Sequence, residues 1–200
     1  MRSFFTVKGR LNWFADNWPY IGGFLALLIF INLLVEDADW VSLRTLLLIH
    51  LGLLFLHQVE EYKIPGGFKT FFNQHILRKN PIMKAPLTDA GIVIVNVLFG
   101  WTAYAAAAYW NERAVGFALG LLFITGINGL AHTAMGIILR KYNPGLITGL
   151  FLFIPFAAFM IFYLSAQLSN QDWTTGIVIG VVGTAMIPFG IWLTSSVYAE

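Results

Sequence analysis

The stretch WVSLRTLLLIHLGLLFLHQVEEYKIPGGF, from Trp40 to Phe68, joins a long apolar run to a group of ionisable side chains near its end. The apolar run is long enough to cross a bilayer as a helix, which needs about 20 residues, and the Pro and Gly residues that follow would end it. The ionisable group consists of His57, Glu60 and Glu61. Because a charge inside a membrane costs at least a few kcal/mol, these side chains indicate a functional site.

The composition of the whole chain indicates an integral membrane protein. Of its 200 residues, 58% are hydrophobic and only 11% are charged, and the mean hydropathy is +0.73. The chain contains no cysteine, which excludes disulfides, thiolate metal sites and a cysteine nucleophile. The small net charge of +2 does not indicate a nucleic-acid partner. We therefore expect a single transmembrane domain over residues 1–200.

The apolar segments predict an all-α fold, a polytopic bundle of about six transmembrane helices. The predicted spans are 19–35, 40–62, 88–110, 114–140, 144–167 and 173–197. A helix at 68–79 has apolar residues near helical spacing and is expected to lie on the cytoplasmic surface between the second and third spans. Two glycine pairs with GxxxG spacing, Gly116 with Gly120 and Gly176 with Gly180, permit close helix contact.

Basic residues give the expected orientation, because cytoplasmic connections are enriched in Lys and Arg. Ten of the twelve Lys and Arg residues fall on one side of the predicted topology, and only Arg44 and Arg113 fall on the other. This distribution places both termini in the cytoplasm.

Two polar faces are predicted on the second and fourth spans. His57, Glu60 and Glu61 stand at i, i+3 and i+4, and Asn128 and His132 stand at i and i+4, so each set shares one helix face. With the orientation above, His57 lies about 9 Å from Lys63 along its helix and His132 about 12 Å from Arg140. The two faces therefore reach a similar depth in the inner leaflet.

These faces predict one chamber that opens toward the cytoplasm. Asn96 of the third span lies about 12 Å from Thr88, at the same level. His75 on the surface helix would fold over the mouth of the chamber. His50 lies about 10 Å deeper than His57 and is expected to be structural or a proton partner.

Imidazole and carboxylate groups together suit a divalent metal, zinc or iron, with an open position for water or substrate. The expected ligands and catalytic groups are His57, Glu60, Glu61 and His132, and the expected substrate-binding residues are Asn96, Asn128 and His75. The reaction would be hydrolysis or oxidation of a lipid or other apolar substrate. The same residues could also perform acid/base chemistry without a metal.

Other functions remain open at this stage. The ionisable residues would form a relay in a proton-coupled transporter or carrier, and a noncatalytic lipid-binding protein is a third alternative. Each residue also has a structural interpretation: Glu60 and Glu61 could reach the headgroups from an interfacial helix end, and the asparagines and His132 could join helices by hydrogen bonds.

The motif HQVEE, from His57 to Glu61, resembles the signature of the HXXEE-motif proteins, a bacterial and archaeal membrane family of uncharacterised function. The resemblance extends to Pro65-Gly66-Gly67-Phe68, Asn96, the Asn128 and His132 pair, and Tyr142-Asn143-Pro144-Gly145. It implies a multispanning protein of the prokaryotic plasma membrane with a polar site able to support an enzymatic reaction, and it supplies no substrate.

Overall fold

The computed structural model describes residues 7–77 and 86–197, with side chains for 12–77 and 86–192. Within these ranges the chain is helical and contains no strand, which confirms the all-α prediction. The α-helices in chain order are α1 (Val7–Val35), α2 (Leu43–Tyr62), α3 (Phe68–His75), α4 (Asp89–Val93), α5 (Thr102–Trp110), α6 (Val115–Leu139), α7 (Leu146–Thr148), α8 (Ile154–Ser165) and α9 (Asn170–Val197).

Five helical stretches are long and apolar enough to cross a membrane, which is compatible with a membrane protein. They are Asn12–Val35, Leu43–Tyr62, Asp89–Leu139, Leu146–Ser165 and Asn170–Trp192. Helix α2 is the most enclosed of the five, because 67% of its apolar window is buried. The HQVEE motif therefore lies in the central helix of the bundle.

The third stretch reverses direction at a short 3-10 turn, Asn111–Ala114. Asn111 has a φ of 32°, a conformation that asparagine tolerates better than most residues. Across the turn, the Tyr104 hydroxyl of α5 lies 2.6 Å from Thr125 Oγ1 of α6. Helices α5 and α6 therefore lie side by side, which a straight helix of 51 residues would not allow.

The ends of several helices differ from the predicted spans. Helix α1 begins at Val7 rather than at residue 19 and continues through Pro19, because Trp18 in this early part is buried against Tyr62 and Trp101. Helix α3 ends at His75, earlier than the predicted residue 79, and residues 78 and 79 lie outside the described residues.

Helices α6 and α9 pack closely against each other, as the glycine spacing predicted. A Cβ added to Gly120 would lie 2.5 Å from Ile179 Cγ2, and one added to Gly176 would lie 2.6 Å from two carbons of Leu119. Each glycine therefore accommodates an aliphatic side chain of the other helix. This contact joins the first half of α6 to α9.

Two segments have π-helical hydrogen bonding: Ile94–Trp101 between α4 and α5, and Gly149–Phe153 between α7 and α8. Such segments occur often at functional sites. Both segments border the polar side chains near His57. Asn96 lies in the first segment, and Phe153 of the second packs on His57 with ring centroids 4.2 Å apart.

Candidate metal site

Three polar side chains from α2 and α6 meet inside the bundle. Potential ligand atoms of His57, Glu61 and His132 all lie within 4.8 Å of one another, and all three residues are buried. Glu61 Oε1 lies 3.1 Å from His132 Nε2 and 3.7 Å from His57 Nε2. The two polar faces predicted from the sequence therefore do meet.

Asn143, in the turn before α7, fixes the His132 ring. Asn143 Nδ2 donates to the His132 carbonyl oxygen at 2.9 Å, and its Oδ1 lies 2.7 Å from His132 Nδ1. An amide oxygen can only accept, so the hydrogen-bond network assigns a proton to His132 Nδ1. In the neutral ring, Nε2 then presents a lone pair to Glu61.

Thr148 fixes the His57 ring in the same way. The Thr148 hydroxyl donates its one hydrogen to Glu60 Oε2, so it can only accept from His57 Nδ1, which lies 2.7 Å away. His57 Nε2 is then a bare lone pair, and it has no hydrogen-bond partner within the described part of the chain.

The geometry therefore directs two imidazole lone pairs and one carboxylate oxygen toward a common point. A single proton could bridge only His132 and Glu61, because 3.7 Å is too long for a hydrogen bond from His57. One metal ion could satisfy all three atoms. Ligand atoms around a tetrahedral zinc ion lie about 3.3 Å apart, whereas the two separations from Glu61 Oε1 are 3.1 and 3.7 Å and the two histidine nitrogens lie within 4.8 Å of each other. The residues present fit a divalent metal ion.

Glu60 points toward a different set of groups. It accepts hydrogen bonds from the Tyr142 hydroxyl at 2.8 Å, from the backbone N–H of Ile147 and Thr148 at 2.9 and 2.7 Å, and from the Thr148 hydroxyl. Burial, assisted by the bond to Glu60, raises the pKa of Tyr142, so its hydroxyl stays protonated and donates. Of the four predicted metal ligands, three come together and Glu60 instead holds the start of α7.

The predicted asparagines border the same space. Asn96 accepts from Gln58 Nε2 at 3.2 Å and donates to the Tyr62 hydroxyl at 3.2 Å. Asn128 lies beside His57, and its buried Oδ1 lacks a hydrogen-bond partner among the residues with described side chains. The side chain of Asn128 is close enough to interact with the His57 ring, whereas Asn96 is engaged in a network between helices.

His75 lies away from this group, since its described contacts are both with Phe71. Its Nδ1 lies 3.0 Å from the Phe71 carbonyl oxygen, and the two rings stack at 4.8 Å. The part of α3 that reaches the site is Phe68, whose ring centroid lies 5.4 Å from that of His132. Helix α3 covers the site through a phenylalanine.

His50 forms a second buried polar group deeper in the bundle. Its Nε2 lies 2.7 Å from Thr125 Oγ1, which also contacts the Tyr104 hydroxyl. His50 Nδ1 has no partner among the side chains described. This placement agrees with the expectation that His50 is not a co-ligand of His57.

Three residues that contact the site were not predicted as site residues: Gln58, Asn143 and Thr148. Gln58 is fully buried and accepts from Trp101 Nε1 at 2.7 Å. Asn143 belongs to the stretch from Tyr142 to Gly145 that carries part of the family resemblance, and this was the one signal that could have identified it. Thr148 stands in an ordinary apolar helix, and only its position in space reveals its role.

Comparison with known proteins gives a family and no characterised relative. A family model described as "Protein of unknown function with HXXEE motif" matches residues 48–160, more than half of the chain. The chain matches no curated protein and no solved structure. His57, Glu60 and Glu61 supply the motif, and His132, Asn143 and Thr148 lie within the matched range. The chain belongs to the HXXEE-motif family, whose function is unknown.

Proposed function

We propose that the chain is a multi-pass protein of the prokaryotic plasma membrane with six crossings and both termini in the cytoplasm. The reversal at Asn111–Ala114 supports dividing the longest apolar stretch into two crossings. Lys63, Arg140 and Lys141 then lie on one side, as the preference of basic residues for the cytoplasm requires. In this topology α3 lies on the cytoplasmic surface and the His and Glu site lies just below it.

The site is proposed to bind a divalent metal, zinc or iron, through His57, Glu61 and His132. The observation that carries this proposal is the convergence of two imidazole lone pairs on one carboxylate oxygen, with both Nδ1 atoms engaged by Thr148 and Asn143. Metal-binding histidines almost always donate their other N–H to a fixed acceptor, which sets the tautomer and the ring orientation. Glu60 is a positioning residue that acts through Thr148.

The proposed activity is that of a membrane-embedded enzyme acting on a lipid or other apolar substrate. A bound metal would supply a Lewis acid and an activated water for hydrolysis, or a redox centre for oxidation. The chain itself buries the site among apolar side chains, and Asn128 Oδ1 offers an acceptor that orients a substrate N–H or O–H. Phe68 covers His132 from the cytoplasmic side and excludes water.

Metal analysis of detergent-purified protein tests the proposal. We expect about one zinc or iron ion per chain in the wild type, a large loss in His132→Asn, and no loss in His75→Asn, the matched control outside the site. Wild-type protein that carries no metal after purification without chelators, and binds none when zinc or iron is added, would contradict the metal site. Metal retained fully by His132→Asn would contradict this ligand set.

A second prediction concerns the residue that holds His132. Asn143→Leu keeps a similar side-chain volume but removes both hydrogen bonds to His132, so the ring loses its fixed orientation. We expect metal affinity to fall about 10- to 100-fold, the usual effect of removing a partner of a metal-binding histidine. Competition with a chromogenic chelator measures the affinity, and an unchanged value would show that Asn143 does not position the ligand.

A proton-coupled carrier is the second candidate function. The observation that favours it is the His50, Thr125 and Tyr104 group, which lies deeper in the bundle and is joined by hydrogen bonds of 2.7 and 2.6 Å. Such a chain can pass a proton by reorienting its hydroxyl groups. Proton movement in sealed proteoliposomes containing a pH-sensitive dye distinguishes the candidates: a carrier gives a signal that His50→Gln abolishes, and an enzyme gives none.

A further inference from the structure

Two internal cavities meet at the candidate metal site. The first has a volume of about 280 Å³ and includes His57 in its wall, and the second has about 330 Å³ and includes His132. Glu61, Asn96 and Asn128 line both. A ligand long enough to occupy both cavities must therefore pass directly beside Glu61.

The first cavity has mostly apolar walls away from the site. Leu54 of α2, Ala103 of α5 and Leu121 of α6 form part of this lining. Its wall also contains Phe99 and Met186, which are 55% and 45% exposed and lie within two of the long apolar stretches. In the proposed topology this exposed part of the wall faces hydrocarbon, so the cavity opens sideways to the lipid.

The first cavity extends from the level of the site past the middle of α6. Along α6 its lining extends from Phe117 to Asn128, twelve residues whose eleven steps span about 16 Å at 1.5 Å per residue. The hydrocarbon core of a bilayer is about 30 Å thick, so one leaflet is about 15 Å deep. Phe117 lies two residues after the start of α6, so in the proposed topology an acyl chain in this cavity extends from the site past the bilayer centre toward the outer end of α6.

The second cavity lies on the side of α3, toward the proposed cytoplasmic surface. Like the first cavity, it has mostly apolar walls, to which Phe68 and Phe72 of α3 and Leu87 contribute, and it includes the side chains of Tyr62 and His132. It therefore adjoins the region where the headgroup of an inner-leaflet lipid is located.

We propose that the first cavity binds one acyl chain of an inner-leaflet membrane lipid, which enters from the bilayer between Phe99 and Met186. The chain lies along α6, its junction with the polar headgroup lies beside Glu61, and the headgroup points toward the second cavity. This inference rests on the proposed membrane topology and specifies the substrate class of the proposed site, an acyl lipid that presents its acyl linkage to the two histidines.

Because the native chain contains no cysteine, a single cysteine can block the cavity after folding. Ala103→Cys places a thiol in the cavity wall, and Ala105→Cys places one on the exposed face of the same helix. Each variant is reconstituted in phosphatidylcholine vesicles that contain a phosphatidylcholine with a photoactivatable diazirine at the end of one acyl chain. Peptides labelled after illumination are identified by mass spectrometry.

We expect labelling of the α6 segment 117–125 in both variants. Benzyl methanethiosulfonate, a bulky reagent that forms a disulfide with the new thiol, should lower this labelling at least fivefold in Ala103→Cys, and a reductant should restore it. The same treatment of Ala105→Cys should have no effect. The inference would be overturned if the blocked Ala103→Cys variant still showed labelling of 117–125. It would also be overturned if labelling were confined to exposed positions such as Phe24 and Phe162.

The metal content of the same samples separates this inference from the proposed metal function. Cavity labelling in a protein that binds no metal would support the acyl-chain site and contradict the metalloenzyme. Stoichiometric metal without cavity labelling would support the metal site and contradict the acyl-chain site.

Discussion

We expect Glu61→Gln to remove most of the metal affinity and Glu60→Gln, in the adjacent position, to remove much less. In the proposed site Glu61 would supply a ligand oxygen, which lies 3.1 Å from His132 Nε2, and glutamine keeps the shape but loses the charge. Zinc binds structural sites with about 10–16 kcal/mol, so loss of one of about four ligands should lower the affinity about 10²- to 10³-fold. Equilibrium competition with a chelator of known affinity measures the change.

The Glu60→Gln variant is the matched control for this experiment. Glu60 acts on the site through Thr148, which in turn holds His57 Nδ1, so its replacement should lower the affinity only about 10- to 100-fold. The thermal unfolding of each variant is also measured, to show that the variant is folded. An equal loss in the two variants, or a larger loss in Glu60→Gln, would contradict the assignment of Glu61 as the ligand.

Gly145→Ala should disrupt the site and destabilise the protein. Gly145 has a φ of 97°, where a side chain is strained, and a Cβ there would lie 2.6 Å from His132 Cε1 and 2.9 Å from His57 Cε1. The left-handed conformation costs about 1–2 kcal/mol, and displacement of packed rings costs about 1–3 kcal/mol more. We expect a lower unfolding temperature together with loss of bound metal.

Gly67→Ala separates the cost of the left-handed backbone conformation from the cost of displacing the imidazole rings. Gly67 has a similar φ of 93°, but nothing lies within 4 Å of a Cβ added there. It should therefore show only the conformational strain, with metal content unchanged. If both alanine variants lose the same stability and both retain metal, the two imidazole rings do not pack against Gly145 as described.

The sequence predicted most of the fold because the relevant patterns are local. Apolar runs of about 20 residues identify membrane-crossing helices without any knowledge of their neighbours, and the structure contains five such stretches. Helical spacing also placed His57 and Glu61 on one face and Asn128 and His132 on another. The polar residues Asn111, Glu112 and Arg113 also predicted a break between the spans 88–110 and 114–140, where the structure has the 3-10 turn Asn111–Ala114.

The roles of individual site residues depended on contacts between distant segments. Glu60 and Glu61 are adjacent, and their directions on a helix differ by about 100°. Which of them faces His132 is decided by how α2 and α6 are placed around α7 and the segment Gly149–Phe153, which contact both helices. Likewise, α3 brings Phe68 rather than His75 to the site.

By itself, the sequence determined that this protein is an apolar helical bundle of the HXXEE-motif family with ionisable groups at one end of its central helix. Only the tertiary structure decided that His57, Glu61 and His132 come together while Glu60 holds α7 through Thr148. The reason is physical: helix periodicity fixes the face on which a side chain lies, but the groups that face it come from segments about 70 to 90 residues away in the chain.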